Sequence, residues 1–593
     1  MPERQPPDFR IAIIGAGPKA LYALDSLARR LRAAPPSGRL VRIEVLEPAG
    51  PPGTGAAYHP EQPSYLRLNV TASIVDVHEP GAPDRVFPGF RDWAEGHDQP
   101  SAREDFPPRA VIGAYLAAAW AATTAAMPEA VQVSVRGERV HRAHPVHRAS
   151  QSQSQSQSQS RDGSVGQVWT LITASGRELG PYDEVLVATG HAADHTGALH
   201  RSWSSAIALV PSVYPVHERL SAAAVAPGAR VAVRGAALTF IDAALALTEG
   251  RGGDFRRRDD GSLAYRPSGR EPSAIRPAAR SGQLLEPKPE PGTELPPAAR
   301  AAVAEGRREI AATADIGALT AILERTAARI LATDGDLPRA LAAVREALGR
   351  ALAPGGVRGT GQGVDPGAGP REPTARQRLH RGIATAEGTE AGGAVWALGR
   401  AWSQLYTAIV ARISFAQLPA EDWARFRRLA AVCERWAFGP PLLNARKLEA
   451  LIEAGIIELC WLDAGVRIEP EGRIIDPTGA DPTGAGPGAA CAADWPDVVV
   501  DAVLAPPGAE PLDPLFRDLI AQGLLTVAPG HRGCATTPEA SAVDPTGRAV
   551  AGLSVLGRPT EDAILGHDTL NRALHDQPRR WAQRLSETLR GER

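Results

Sequence analysis

The chain begins with a strand, a glycine turn and a helix, and this order constrains the fold more than any other feature of the sequence. The apolar run Ile11–Ile14 leads into the turn Gly15–Ala20, after which apolar residues recur at helical spacing. Gly15 permits the tight turn, Gly17 lets the backbone approach a pyrophosphate, and Ala20 lets the helix pack close to the strand. The free N–H groups at the helix start favour an anion there. The segment predicts a dinucleotide-binding β-α-β unit in an α/β fold.

A carboxylate and a lysine accompany this turn. Val41–Leu46 is predicted as the second strand and ends at Glu47, whose side chain is expected to accept hydrogen bonds from the ribose hydroxyls of an adenosine. Lys19 is expected on the solvent side of the turn. There it either touches a phosphate or is an ordinary exposed lysine at the start of a helix.

A later strand ends in small residues that lie against a cofactor in many flavoproteins. Glu184–Val187 runs into Ala188-Thr189-Gly190. Two-dinucleotide flavoproteins use such a segment where the chain passes from the FAD domain towards the NAD(P) domain, because small residues let the backbone approach the cofactor. After the first glycine turn, this motif indicates FAD as the bound dinucleotide.

A second glycine turn follows the strand Arg230–Val233. Gly235 has the place of a first Rossmann glycine, whereas Ala237 stands at the second glycine and Phe240 at the last small position. The layout predicts NAD(P)H binding, and a vestigial turn that serves only packing is the alternative. Arginines follow the next predicted strand, where a guanidinium would hold the 2′-phosphate of NADPH; they are Arg270, Arg276 and Arg280.

Length and charge exclude several classes of protein. A chain of 593 residues exceeds one hydrophobic core, so two to four domains are expected. The net charge of −2 provides no global field for nucleic acid or anionic lipid. No apolar run is long enough to cross a membrane, and no apolar leader follows the start, so we expect a cytoplasmic protein. The four cysteines form no CxxC pair and are expected to be reduced, and no metal-binding spacing occurs.

The order of these segments predicts a discontinuous domain organisation. We expect an FAD-binding domain from residues 1–225 and 506–593, and an NAD(P)-binding domain from 226–294 and 433–505. Residues 295–432 show amphipathic helical patterns and are predicted as a helical insertion. Five Gln-Ser repeats predict a disordered insert at 149–165. The fold class is therefore α/β, with two Rossmann-like domains and a helical insertion.

Several motifs in a fixed order resemble a known bacterial family of FAD/NAD(P)-binding proteins. They are Gly15–Pro18, Pro52–Asn69, Ala188–His191, Val233–Gly235, Pro267–Pro272, Phe438–Pro441 and Gly557–Asp562. The family is similar in turn to flavin-dependent N-hydroxylating monooxygenases, including the kind that oxidises the amine of aspartate to nitrosuccinate. Ala237 and Phe240 depart from the expected pattern, and this departure weakens the assignment of NADPH to the second glycine turn.

The resemblance implies positions for residues around the flavin. It places Asn69 against the isoalloxazine ring, and it places Gly557–Asp562, with a helix near Asp568–Arg572, over the pyrimidine side. In the alternative, Asn69 only caps a turn, and Asp568 and Thr569 only begin a helix. Histidines at 59, 191 and 567 are candidates for proton transfer. The full predicted cofactor-binding set is Gly15, Gly17, Pro18, Lys19, Ala20, Glu47, Asn69, Ala188, Thr189, Gly190, Gly235, Arg280, Gly557, Asp562 and Thr569.

The resemblance also implies a reaction. NADPH or NADH reduces FAD, the reduced flavin captures O2 as a C4a-hydroperoxide, and an uncharged amine of a small amino-acid-like substrate attacks the distal oxygen. The catalytic candidates are Asn69 and the arginines Arg270 and Arg558, and Arg446 is a further candidate for clamping a carboxylate. An oxidoreductase or oxidase without oxygen insertion and a non-catalytic nucleotide-binding regulator remain alternatives. No nucleic-acid or membrane partner is expected, and a homo-oligomer is left open.

Overall fold

The computed structural model describes residues 8–36, 38–147, 167–192, 194–313, 315–332, 335–353, 373–475, 495–509, 512–567 and 569–591. The predicted insert 149–165 and the residue Asp568 lie outside these ranges. The chain divides into two compact units. Unit 1 comprises residues 1–195, 413–420 and 505–593, and unit 2 comprises residues 196–412 and 421–504.

Unit 1 is built on a six-stranded sheet that uses both ends of the chain. Its strands lie in the order β16-β17-β7-β1-β2-β3, and all neighbouring pairs are parallel except β16 with β17. A second, antiparallel sheet has the order β4-β5-β6. The strands are β1 (Phe9–Ile14), β2 (Val41–Leu46), β3 (Val131–Arg136), β4 (Val140–His147), β5 (Gln167–Thr173), β6 (Glu178–Tyr182), β7 (Glu184–Val187), β16 (Ser541–Val543) and β17 (Ala549–Val555).

Helices cover one face of the large sheet, and the antiparallel sheet β4-β5-β6 together with one helix, Pro514–Ala521, covers the other. The β1 side chains Ile11 and Ile13 pack with α1, whereas Ala12 and Ile14 belong to a second core on the other face. This alternation follows from the two-residue period of a strand. The helices of unit 1 are α1 (Pro18–Ala33), α2 (Phe90–Gly96), α3 (Arg109–Ala125), α14 (Pro514–Ala521) and α15 (Gln577–Arg590).

The carboxyl-terminal segment is anchored to α1 by a buried ion pair. Arg572 donates hydrogen bonds to the Asp25 carboxylate at 2.7 Å, to the Ser26 hydroxyl at 2.6 Å and to the Tyr22 carbonyl at 3.2 Å. Arg572 and Asp25 are only 4% and 7% exposed at their side chains. The predicted helix near Asp568–Arg572 is instead a short 3₁₀ turn, Arg572–Leu574, and the helix begins at Gln577.

A second buried carboxylate anchors the last helix to the centre of the sheet. Glu184, at the start of β7, accepts hydrogen bonds from Trp581 at 3.0 Å and from Arg584. Ser554 on β17 also donates to Glu184, at 2.8 Å. The end of the chain is therefore a structural part of unit 1.

Unit 2 contains a four-stranded parallel sheet in the order β12-β9-β15-β8. The strands of this sheet are β8 (Ala208–Val210), β9 (Arg230–Arg234), β12 (Ala274–Ala278) and β15 (Val498–Asp501). Two separate antiparallel pairs are formed by β10 (Asp254–Arg257) with β11 (Leu263–Arg266) and by β13 (Arg467–Ile468) with β14 (Ile474–Ile475). Because β8 pairs with β15, the division between the units lies after His195 and not at residue 225.

The helical region belongs to unit 2 and is not a separate unit. Its helices are α6 (Pro297–Ala312), α7 (Ile316–Leu331), α8 (Leu337–Leu352), α9 (Ala375–Ala386), α10 (Ala394–Ile413) and α11 (Ala420–Ala437). The remaining helices of unit 2 are α4 (Val216–Arg219), α5 (Leu238–Leu247), α12 (Leu442–Glu453) and α13 (Cys460–Asp463). The two parallel sheets and the helical region confirm the predicted α/β fold class.

Two further sequence expectations are settled by the described residues. Cys433 and Cys534 are buried free thiols, as expected, whereas Cys460 is disulfide-bonded, so the expectation of four reduced cysteines is wrong. Across the described ranges, no helix combines the length and the apolar character that a membrane span requires.

The buried ion pair generates a stability prediction. Arg572→Ala leaves the Asp25 carboxylate buried without its partner, which costs about 3–5 kcal/mol. Arg580→Ala is the matched control, because Arg580 pairs with Asp576 at the surface, where both side chains are 44–46% exposed, and such pairs contribute less than about 1 kcal/mol. Urea unfolding of the two variants, compared with the unchanged protein, measures the difference. Equal effects of the two substitutions contradict the proposed role of the buried pair.

Candidate functional site

The first glycine turn of unit 1 is shaped by a close backbone approach. Gly15 has a φ of +92°, and a Cβ on it would lie 2.8 Å from the carbonyl oxygen of Ala188. Gly17 is the N-cap of α1, Pro18 is its first residue, and no side chain caps the helix. The N–H groups at the start of α1 are therefore left for a ligand, as a pyrophosphate site requires.

The space in front of Gly17 is open. A Cβ on Gly17 would meet only the Gly55 Cα, at 3.9 Å, and its φ of −78° suits any residue. A Cβ on Gly190 would meet nothing within 4 Å. The fold of the protein therefore does not itself require glycine at either position. At Gly17, a closely bound pyrophosphate would require glycine, since it needs the backbone exposed.

Glu47 lies beside the same turn. It directly follows β2, and its Oε2 accepts a hydrogen bond from the Ala16 N–H at 2.8 Å, while Oε1 accepts one from the Ala49 N–H at 3.1 Å. A carboxylate has about four acceptor sites, so two bonds leave acceptor capacity for ribose hydroxyls. The backbone bonds fix the carboxylate beside the glycine turn.

Lys19 is not on the solvent side of the turn, and this expectation is wrong. Lys19 is only 9% exposed, and its Nζ lies 5.6 Å from the centre of the Tyr22 ring. Its Cγ lies 3.4 Å from where a Gly557 Cβ would be. Packing of the carboxyl-terminal segment over α1 buries this lysine. The next residue, Ala20, is fully buried.

The loop that contains Asn69 approaches the glycine turn from another side. The Gly53 N–H donates to the Ala16 carbonyl at 2.7 Å. A Cβ on Gly53 would lie 2.5 Å from the Leu116 carbonyl oxygen, so only glycine fits between the turn and α3. Asn69 is half-buried at the end of this loop, after the fully packed Leu68.

Three segments meet at the carboxyl ends of neighbouring strands. The Ala188 N–H donates to the Ile14 carbonyl at 2.8 Å, and the Leu556 N–H donates to the Val187 carbonyl at 2.8 Å. Gly557 has a φ of +85°, and a Cβ on it would lie 3.9 Å from the Thr189 carbonyl oxygen. Ligands of open α/β sheets bind at this edge. The sequence motifs at 15–20, 188–190 and 557 are therefore brought together.

Three other predicted residues have structural partners. The buried Asp562 carboxylate accepts bonds from the Arg532 guanidinium at 2.9 and 3.1 Å and from its backbone N–H at 2.8 Å. Thr569 accepts a bond from the Asn571 N–H at 3.2 Å. Arg558 donates to the Ala505 carbonyl at 2.9 Å. These contacts hold the segment after Gly557 in place. The contacts of the Asp562 carboxylate are to Arg532.

His567 is a fully buried histidine next to Gly557. His567 Nδ1 lies 2.7 Å from the Gly557 nitrogen, 2.9 Å from the Thr560 hydroxyl and 3.1 Å from the Gly557 carbonyl oxygen. Burial, followed by the nearby charges of His575 and Lys19, holds the pKa of His567 well below its usual value. His567 is therefore neutral near pH 7 and does not fit the proton-transfer role considered for it. Sequence reasoning had no signal for this burial.

The second glycine turn, in unit 2, has the geometry of the first. Gly235 has a φ of +112°, and Ala237 is the N-cap of α5, again without a side-chain cap. Phe240 is fully buried in the first turn of α5, and the helix forms in spite of it. The departures at Ala237 and Phe240 therefore leave the turn itself intact.

The arginines of unit 2 are distributed over different places. Arg280 is exposed directly after β12, the neighbour of β9, and thus at the same sheet edge as Gly235. Arg276 pairs with Glu458 at 2.7 Å, and Arg446 pairs with Glu387 at 2.8 Å. Arg270 precedes β12, at the opposite end of the strand from Arg280. The structure therefore does not bring Arg270 to the edge where Gly235 lies.

Comparison with known proteins agrees with this geometry. Residues 12–192 match a family model described as FAD-NAD(P)-binding. The match confirms the predicted FAD and NAD(P) as cofactor classes, and it covers the glycine turn, Glu47, Asn69 and Ala188–Gly190.

Two characterised relatives share part of the chain. An L-aspartate N-monooxygenase (nitrosuccinate-forming) of Streptomyces cremeus is 32% identical over 289 residues, which are 44% of this chain and 40% of the relative. A nitrosuccinic acid synthase of Aspergillus oryzae is 30% identical over 281 residues, which are 44% of this chain and 38% of the relative. The match spans about two-fifths of the length of each relative.

Among solved structures, a polycyclic ketone monooxygenase of Thermothelomyces thermophila aligns with 99% of this chain and 77% of its own length. The identity is 12% and the TM-score is 0.37. This likeness is too weak to assign a function.

The open space at Gly17 generates a binding prediction. Gly17→Ala fits the ligand-free protein, so the thermal stability of the apoprotein stays unchanged, but the added methyl group occupies the position that a pyrophosphate needs. We expect FAD affinity to fall by roughly tenfold or more, equivalent to about 1.4 kcal/mol. Gly137→Ala is the control, because a Cβ there also meets nothing within 4 Å. Fluorescence titration of the apoproteins with FAD measures both, and unchanged affinity of Gly17→Ala argues against pyrophosphate binding at this turn.

The burial of His567 generates a pH prediction. Below about pH 6.5 the unfolded chain binds a proton at this histidine and the folded protein does not. Stability is therefore lost as the pH falls below 6.5, by up to about 1.4 kcal/mol per pH unit. His567→Gln removes this slope, whereas His97→Gln, at an exposed position, leaves it in place. Urea unfolding between pH 7 and pH 5 measures the slopes, and equal slopes for unchanged protein and His567→Gln contradict the prediction.

Proposed function

We propose that this chain is an FAD-dependent, NAD(P)H-consuming monooxygenase that N-hydroxylates the amine of a small amino-acid-like substrate. The observation that carries the proposal is the similarity to two nitrosuccinate-forming enzymes, at 32% and 30% identity. The FAD-NAD(P)-binding domain at residues 12–192 supports the cofactor requirement.

The residues of unit 1 account for the binding of FAD. The N–H groups at the start of α1 hold the pyrophosphate, and Glu47 accepts hydrogen bonds from the ribose. Lys19 adds a buried positive charge next to Gly557, and this charge favours anionic groups of the cofactor. Bound FAD supplies the redox chemistry, taking a hydride from NAD(P)H and activating O2.

The balance of the reaction sets what the protein must provide. One oxygen atom of O2 goes to the amine nitrogen, and the other leaves as water with the two electrons of NAD(P)H and protons. The substrate amine must be uncharged to act as a nucleophile, and burial or nearby positive charge lowers its pKa. Asn69, half-buried on the loop beside the glycine turn, and Arg558 are our candidates for positioning the substrate or the flavin.

NADPH is proposed as the reductant. Gly235 and the uncapped start of α5 provide a second phosphate-binding turn in unit 2. Arg280 follows β12, the strand that pairs with β9. At this position its guanidinium would pair with the 2′-phosphate of NADPH. Arg270 is not retained as a catalytic candidate, because it precedes β12 and lies away from this edge.

The function is tested on the purified FAD-loaded protein. Anaerobic addition of NADPH is expected to bleach the visible band of the oxidised flavin. In air, aspartate or another amino acid is expected to raise NADPH consumption several-fold and to yield a hydroxylamine or nitroso product in proportion. Peroxide in place of that product across a panel of amino acids and polyamines indicates an oxidase. No bleaching with either nicotinamide refutes an NAD(P)H-dependent enzyme and favours a regulatory protein.

A further inference from the structure

The turn that carries Arg280 is short and closed by its own backbone. It covers residues 279–283, directly after β12, and the Gly282 N–H donates to the Ala279 carbonyl at 3.1 Å. Gly282 has a φ of +61°, which favours glycine. Arg280 is exposed in this turn, and its side chain forms no ion pair or hydrogen bond with any described residue. The turn therefore presents a guanidinium that the protein itself does not use.

Two arginines from the helical region hold the other residues of this turn. Arg435, on α11, donates to the Ser281 hydroxyl at 2.7 Å and to the Gln283 carbonyl at 3.3 Å. Arg378, on α9, donates to the Gly282 carbonyl at 2.7 Å. Three consecutive residues after Arg280 are thus bound by guanidinium groups.

The hydrogen bonds that the Arg435 guanidinium donates go to neutral acceptors. Within the described ranges it has no carboxylate partner, and burial lowers its pKa. Burying a charge without an opposite charge is costly, so hydrogen bonds to the turn are its compensation. A neutral side chain would fill the same space at less cost if only packing were required. The charged bonds instead fix the path of the turn backbone.

The chain after the turn is held by the same elements. The Glu286 N–H donates to the Arg435 carbonyl at 3.3 Å, and the Lys288 N–H donates to the Pro440 carbonyl at 2.9 Å. A Cβ on Gly439 would lie only 1.7 Å from the Glu286 carbonyl oxygen. Glycine at 439 is therefore required for this contact, which gives a structural reason for the motif Phe438–Pro441.

We propose that helices α9 and α11 set the coenzyme preference by holding the Arg280 turn, through Arg378 and Arg435, in the position that binds the 2′-phosphate of NADPH. This inference rests on the proposed binding of NADPH to unit 2. Arg378 and Arg435 are positioning residues, and Arg280 contacts the phosphate. A preorganised turn binds more tightly because less conformational freedom is lost on binding. The helical region thereby acquires a role in recognition of the coenzyme.

The test measures binding and needs no turnover. Calorimetric titration with 2′,5′-ADP and with 5′-AMP compares ligands that differ by the 2′-phosphate. In the unchanged protein 2′,5′-ADP is expected to bind roughly tenfold more tightly or better, and Arg280→Ala is expected to abolish this difference. Arg378→Met and Arg435→Met are each expected to lower the affinity for 2′,5′-ADP severalfold and to leave that for 5′-AMP unchanged. Arg435→Lys, which keeps the charge and a donor, is expected to restore part of the loss.

Arg376→Met is the matched control, because Arg376 is exposed on the same helix as Arg378. Equal losses for both ligands in Arg378→Met and Arg435→Met indicate general disruption and overturn the inference. Retained discrimination in both variants, with discrimination lost in Arg280→Ala, also overturns it while leaving the NADPH proposal in place. If the unchanged protein does not discriminate between the ligands, the assignment of Arg280 fails, and the inference fails with it.

Discussion

The ion pair between Arg572 and Asp25 is the interaction on which unit 1 depends. It joins the first helix to a segment 547 residues later in the chain, and that segment follows Gly557 by only fifteen positions. Because the guanidinium is fully engaged with a carboxylate, a hydroxyl and a carbonyl, the buried charge is compensated and specifies one docking geometry. Glu184 repeats this arrangement at β7 with Arg584. The nucleotide-binding edge is therefore assembled from the two ends of the chain, and neither end forms it alone.

The local motifs predicted the fold class because their geometry is set within a few residues. Gly15 needs a positive φ, and Ala20 needs close packing, and both demands are visible as residue types in the sequence. The same holds for Gly235, whose turn forms although Ala237 and Phe240 depart from the usual pattern. The parallel order of the strands then follows from helical crossovers between them.

The features that sequence reasoning missed depend on contacts between distant segments. Lys19 has the residue type of an exposed helix start, yet packing of Gly557 against its side chain buries it. Asp562 has the residue type of a ligand, yet Arg532 occupies its carboxylate. The division after His195 depends on the pairing of β8 with β15, and three residues of strand give no periodicity from which to predict such a partner. Burial and partner choice are properties of the assembled chain.

The two glycine turns differ in sequence but share one geometry. In each, a glycine with positive φ stands two residues before an extended N-cap that offers no side-chain acceptor. Helices α7, α8, α9 and α14 begin with Asp or Thr caps that consume their first N–H groups. Other uncapped helices, such as α3 and α12, have proline as the N-cap, and no glycine with a positive φ stands two residues before it. The combination of glycine and missing cap, and not the exact Rossmann pattern, leaves N–H groups available to a phosphate. Alanine at 237 preserves that combination, which supports the proposal that unit 2 binds a nucleotide.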